Sequence, residues 1–233
     1  MSAAREPQNQ IQFDRYHAAD YGDANRLGPY TSHIWMTDPR HLGFLLARYK
    51  FVAKMLTGKR RVLEVGCGDG FGIPVVCQSV EHVHGIDFEP LLLADNRQRL
   101  ARWPCSFSVL DIVRERPAEQ FDAAYSLDVI EHIPVTEEAD YFRNVCAALP
   151  AAGVFIVGTP NVTAEAYASE ASRAGHINLK SHTALRTAMA AHFDNVFLFS
   201  MNDEVVHTGY YPMAHYLFAV GVGVRAHADR HAP

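Results

Sequence analysis

No stretch of this chain approaches the ~18 to 20 uninterrupted apolar residues of a membrane-spanning helix. The longest apolar run near the C-terminus, residues 216–224, falls far short of that. The opening MSAAREPQNQ lacks the basic-then-apolar order of a secretory signal. Cysteine is sparse: Cys67, Cys77, Cys105 and Cys146 stand apart, with no C-x-x-C pair. Scattered single cysteines without a signal point to reduced thiols and a cytoplasmic protein. There is no Lys/Arg run, and 21 basic against 26 acidic residues leave a formal net charge of -5. Nucleic acid usually leaves a basic footprint, so this balance disfavours it as a partner. A small-molecule or nucleotide-linked metabolite fits better. Repeats and low-complexity tracts are also absent.

What is present is one sizeable core. The 233 residues are 48% hydrophobic, which suits a single domain with an appendage. Residues 1 to about 40 read as an irregular arm, broken by Gly22, Gly28, Pro29 and Pro39. Leu42, Leu45, Leu46, Tyr49, Val52, Ala53 and Leu56 then fall at helical spacing. The expected organisation is an N-terminal arm and cap helix over 1–56, a main domain over 57–224 and a tail over 225–233.

Strands and helices alternate through the main domain. Strands are expected over 61–66, 82–87, 105–112, 121–128, 153–160, 193–201 and 213–222. Helical segments near 73–79, 91–103, 137–149 and 183–192 separate most of them. This pattern predicts an α/β fold: a doubly wound, seven-stranded, mostly parallel sheet with helices on both faces. Ligands of such sheets bind outside the carboxyl ends of the strands.

Three carboxylates stand at successive strand ends. Glu64 precedes the turn Gly66-Cys67-Gly68-Asp69-Gly70, whose glycines permit a tight bend and close ligand approach. Asp87 closes the second strand and suits ribose hydroxyls, although an Asp ahead of Pro90 also suits a helix cap. Asp111 closes the third, as an acceptor for an adenine amino group or as turn chemistry before Arg114. A dinucleotide fingerprint needs glycine at 71, where Phe71 stands, and no G-K-[ST] is present. Phe71 disfavours a nicotinamide-dependent oxidoreductase.

As a set, Glu64 to Gly70, Asp87, Asp111 and FDAAYSLDVIEHI resemble the motif series of class I S-adenosylmethionine (SAM) dependent methyltransferases. The resemblance covers residues 61–161, and the strand order extends it to about 222. It implies that Glu64, Gly66, Cys67 and Gly68 lie along the methionine moiety of SAM. It also implies that Asp87 holds the ribose, Phe88 lies against the adenine, and Asp111 and Ile112 flank its edge. Ser126 and Leu127 would line the methionine side.

The chemistry then falls to residues after the fourth strand. His132 is a candidate general base toward a substrate hydroxyl, because an unperturbed imidazole titrates near neutrality. His176 and His207 are further base candidates, with Asn202 and Tyr210 as substrate contacts on a polar hairpin. Asp128, Glu131, His132 and His176 also resemble in spacing the metal-binding quartet of small-RNA 3′-end methyltransferases, with Asp128 where a longer carboxylate is usual. That resemblance implies a divalent metal orienting a substrate oxygen pair. The stretch from Tyr30 to Trp35, with Arg40 and Arg48, is a candidate lid in which Arg48 meets the SAM carboxylate.

The expected function is methyl transfer from SAM to an oxygen of a small polar metabolite, such as a sugar or surface-polysaccharide intermediate. The alternatives are a metal-dependent RNA 2′-O-methyltransferase and a non-catalytic SAM-binding subunit.

Overall fold

The computed structural model describes residues 26–226. The remainder of the expected arm, 1–25, and most of the expected tail, 227–233, lie outside the described residues. Five strands form the parallel half of one sheet: β1 (Arg61–Val65), β2 (His82–Asp87), β3 (Cys105–Val109), β4 (Ala123–Leu127) and β5 (Val154–Pro160). Three more complete it antiparallel: β6 (Phe193–Asn202), β7 (Val205–His207) and β8 (Tyr216–Val224). The order is β3-β2-β1-β4-β5-β8-β6-β7.

The sheet therefore has eight strands, one more than expected. The additional strand β7 is three residues long and pairs with the end of β6 through Ser200–His207 and Asn202–Val205. A two-residue turn joins them, with Asp203 in the left-handed region at φ 49°. Three residues are too few to show a period of two, so only the turn was visible as polar sequence.

Burial explains the parallel half. Every residue of β4 is buried, and so are Val62 to Val65 of β1. Strands covered on both faces read as continuous apolar runs rather than alternations. In β5 alternate side chains enter opposite cores: Phe155 and Val157 join Tyr141, Phe142, Leu185 and Met189 on one face. Ile156 joins Val52, Leu56, Ile73 and Val76 on the other. The first face is covered by helices α5 (Glu138–Ala147) and α7 (His182–Ala190). The second is covered by α2 (His41–Met55) and the short α3 (Ile73–Val76). Each large apolar side chain buried this way contributes about 1.5–3 kcal/mol.

Where an irregular arm was expected, Pro29–Thr37 forms a helix, α1. Pro29 occupies its first turn, where a missing N–H costs nothing. The remaining helices are α4 (Pro90–Arg99) and α6 (Glu170–Gly175). Among the described residues no helix is long and apolar enough to cross a membrane. In this order β1 has neighbours leading away in both directions, so the crevice opens at the carboxyl ends of β1 and β4.

Candidate active site

The turn after β1 is built by three left-handed glycines, Gly66, Gly68 and Gly70, at φ 71°, 50° and 66°. Gly66 is also forced by space, since a Cβ there would come 2.4 Å from Cγ2 of Val129. Two side chains brace the turn from beneath. Asn96 Nδ2 donates to the Gly68 carbonyl at 2.7 Å, and Arg99 Nη2 donates to the Asp69 carbonyl at 2.5 Å. Both belong to α4 and are buried.

Asp87 straps this turn to the end of β2. Its Oδ2 accepts from the Gly68 N–H at 2.9 Å and its Oδ1 from the Glu89 N–H at 3.0 Å. The capping role open to Asp87 falls instead to Glu89, which accepts from the Leu91 N–H. Asp111 does serve its own turn: Oδ1 accepts from Val113 N–H, and Oδ2 pairs with Arg114 at 3.1 Å.

A cavity of about 790 Å³ opens above these groups. Gly66, Cys67, Gly68 and Leu127 line its floor, and Asp87, Phe88, Asp111 and Ile112 line one end. Phe88 is 74% exposed at the rim, an apolar ring free to cover a flat ligand. Ser126 turns away, donating to the Val65 carbonyl within the sheet. Glu64 lies beneath the floor, buried against Tyr49 and Tyr125. Burial pushes its carboxyl up to about 8, although the Tyr125 and Tyr49 hydroxyls favour its charged form. Its Oε2 has no hydrogen-bond partner among the described residues.

The roof comes from α1 and α2. Tyr30, Thr31, Ile34, Leu45 and Tyr49 all face the cavity. Thr31 is the anchor. Its N–H and Oγ1 both donate to Asp69 Oδ2, at 2.8 and 2.9 Å, in buried surroundings. The Tyr30 ring lies 3.5 Å from where a Cβ on Gly68 would be. Thr31→Val removes one buried donor and leaves Asp69 with an unmet acceptor, a cost of about 1–3 kcal/mol. The expected result is faster limited proteolysis ahead of α2 and weaker SAM binding at unchanged secondary structure. Cleavage rates and circular dichroism of the two proteins check it.

Arg48 is not free to meet a ligand carboxylate, as the lid reading expected. Its Nη1 donates to both oxygens of Asp128, at 2.9 and 2.8 Å. Its guanidinium lies 3.9 Å over the Tyr216 ring.

Three of the four expected metal ligands come together. One carboxylate oxygen of Glu131 and one ring nitrogen each of His132 and His176 lie within 4.8 Å of one another. Glu131 is fully buried; Thr159 Oγ1 donates to its Oε2 at 2.9 Å, and its Oε1 has no hydrogen-bond partner among the described residues. Burial, and then the Asp128 charge, pushes this carboxyl up to about 8. His132 Nδ1 lies 2.9 Å from the Gly175 carbonyl, which fixes Nδ1 as donor and leaves Nε2 with its lone pair. The His176 ring meets the His132 ring edge-on at 5.0 Å. The Ile177 and Asn178 N–H groups both donate to the Glu131 carbonyl, which binds the segment carrying His176 to the end of β4. Asp128, expected as the fourth ligand, is engaged by Arg48 instead.

His207 is a correction. It sits on β7, four strands from β4, or roughly 19 Å at the usual strand spacing. Asn202 Oδ1 and the Gly209 N–H occupy its two ring nitrogens. Asn202 also donates to the Met213 carbonyl, so both residues hold the hairpin together. Neither they nor Tyr210 line the cavity. Sequence reading missed Asp69, Asn96, Arg99 and Thr159. Only Asp69, inside the glycine turn, carried a local signal.

Residues 62–153 match the family model described as a methyltransferase domain. The chain is 31% identical over 113 residues to a probable S-adenosylmethionine-dependent methyltransferase of Mycolicibacterium smegmatis. The matched segment, residues 62–153, is a methyltransferase domain of the class I SAM-dependent kind. The Mycolicibacterium match takes in 48% of this chain and 42% of that protein, so the match spans less than half the length of that relative. A ubiquinone biosynthesis O-methyltransferase of Actinobacillus pleuropneumoniae is 28% identical over 169 residues, 68% of each chain. The methyltransferase fold is shared with the methyltransferase domain of a bacterial Hen1, CtHen1-C, at TM-score 0.65 and 18% identity, covering 77% of this chain and 99% of that one. A TehB-like SAM-dependent methyltransferase of Corynebacterium glutamicum aligns at TM-score 0.59 and 16% identity over 93% and 97% of the chains.

Proposed function

We propose that this chain transfers a methyl group from SAM to a hydroxyl oxygen of a small polar acceptor, with a sugar or sugar-linked intermediate as the substrate class. One observation carries the reading: a single cavity runs from Asp87 and the glycine turn to Asp128 and His132 at the end of β4. A donor seated on the turn and an acceptor beside His132 then share one enclosure, and holding them in line supplies most of the catalysis. SAM, when bound, supplies a methyl group made electrophilic by its sulfonium. Gly66, Cys67, Gly68 and Leu127 would hold its methionine portion, above the buried Glu64. Asp87 would hold the ribose, and Phe88, Asp111 and Ile112 the adenine. His132 Nε2 takes the hydroxyl proton as the new C–O bond forms and the C–S bond breaks. His176 beside it holds the imidazole edge and serves as the second base. The similarity to a ubiquinone biosynthesis O-methyltransferase supports oxygen as the methylated atom. In this reading residues 57–224 are the catalytic domain, and 1–56 carry the arm and cap.

A metal-assisted version is favoured by the unpartnered Oε1 of Glu131 beside two imidazoles. Their oxygen and nitrogen donors suit Mg²⁺, Mn²⁺ or Fe²⁺. The Nδ1–carbonyl contact of His132 is the outer-shell bond that a metal-binding imidazole normally makes. A divalent ion held by Glu131, His132 and His176 would polarise the acceptor hydroxyl and ease loss of its proton.

The test is methyl-labelled SAM offered with pooled sugar nucleotides, phenols or small RNA, in EDTA or with added Mn²⁺. Label is expected in an ether of a small hydroxyl compound. Label confined to RNA 2′-hydroxyls would replace the acceptor assignment. Tight SAM binding without turnover on any pool would favour a non-catalytic subunit.

A further inference from the structure

Asp128 stands at the edge of the Glu131–His132–His176 cluster, yet its carboxylate is turned elsewhere. Its backbone is fixed in the left-handed region at φ 58°, with its N–H donating to the Gly158 carbonyl at 3.0 Å. Its two carboxylate oxygens share one Arg48 nitrogen, Nη1, at 2.9 and 2.8 Å. Arg48 in turn is 5% exposed, lies over the wholly buried Tyr216 ring at 3.9 Å, and among the described residues leaves its Nε without a hydrogen-bond partner. Among the described residues, Asp128 is the one carboxylate this guanidinium pairs with. Releasing it would strand a buried cation, which is the costly way to break an ion pair.

We infer that Arg48 is a positioning residue that withholds Asp128 from the metal. A divalent ion is then held by three protein groups, Glu131, His132 and His176, rather than by four. The inference rests on the metal-assisted reading above. Its chemical consequence is a charge count. One carboxylate and two neutral imidazoles leave a divalent centre with one net positive charge, while Arg48 and Asp128 cancel each other. Three ligand positions and that residual charge suit an acceptor that brings its own oxyanion.

The experiment is Mn²⁺ binding to the full chain, followed by electron paramagnetic resonance of the free ion. It uses wild type, Asp128→Asn, Arg48→Met and the double variant. Asp128→Asn leaves Arg48 an uncompensated buried cation and should bind Mn²⁺ more weakly for that reason alone, so the double variant, which loses both charges, is the decisive comparison. Arg48→Met frees a carboxylate for the ion and should bind about tenfold tighter or more, since affinity follows ligand charge count. The double variant should return to the wild-type value. Mn²⁺ bound by wild type but lost in the double variant would overturn the inference and leave the metal reading standing. Mn²⁺ bound by none of the four would overturn both. Should Arg48→Met fail to fold, the comparison of wild type with the double variant decides alone.

Discussion

Asp87→Ala binds SAM about 10- to 100-fold more weakly than wild type, while its circular dichroism stays unchanged. The expectation comes from what the carboxylate touches. Asp87 lines the cavity at the end of β2, and among the described residues each of its oxygens accepts one backbone N–H, from Gly68 and Glu89. Carboxylate oxygens have room for further donors, and the two ribose hydroxyls are the matching pair. Hydrogen bonds to a charged group are worth about 1.5–3 kcal/mol, which is the stated range of affinity for the loss of one such contact. A second cost arrives through the protein. Without Oδ2 the Gly68 N–H loses its tether, and the turn under the donor gains freedom that binding must then remove. Asp87→Asn separates the two: it keeps one acceptor oxygen for the turn and lacks the charge, so its loss should be smaller. Calorimetric titration with SAM and with S-adenosylhomocysteine measures both variants. Affinity within threefold of wild type for Asp87→Ala would remove the ribose assignment, and with it the reading of the turn as a cofactor cradle.

Much of this site was legible because it is local. The glycines, Glu64, Asp87 and Ile112 lie within a few residues of strand ends that the apolar runs already marked. What could not be read was pairing across the chain. Arg48 meets Asp128 across 80 positions, and Thr31 meets Asp69 across 38. Neither partner has a local pattern that names the other. The expectation that Arg48 would meet the SAM carboxylate failed because the sequence showed a cation near the site and not the anion that already held it. His207 failed differently: composition put a histidine on a polar loop, while topology put that loop at the far edge of the sheet. Its neighbour in the expectation, His176, reached the site only because two backbone bonds tie its segment to Glu131.

Glu64 makes the stability of the ligand-free protein depend on pH in an unusual direction. Its carboxyl is pushed up from 4.5 to about 8, chiefly by burial. Near pH 4 both the folded and the unfolded chain carry the proton, and Glu64 costs nothing. As the pH rises through the ordinary carboxylate range, the unfolded chain releases the proton while the folded chain keeps it. Folding then takes up a proton, so stability falls with pH until the folded group itself ionises near 8. For a group this buried the loss is on the order of 5 kcal/mol across that window. Glu131, raised for the same reason, acts in the same sense. Glu64→Gln removes one of these two contributions, because an amide resembles the protonated carboxyl and does not titrate. It should match wild type near pH 4 and be the more stable protein near pH 8.5, with a shallower slope between. Urea unfolding of both proteins across this range gives the answer. Parallel profiles would mean that Glu64 is already ionised in the folded chain. Its unpartnered Oε2 would then need a donor from outside the described residues, and Tyr49 and Tyr125 alone would not account for its burial.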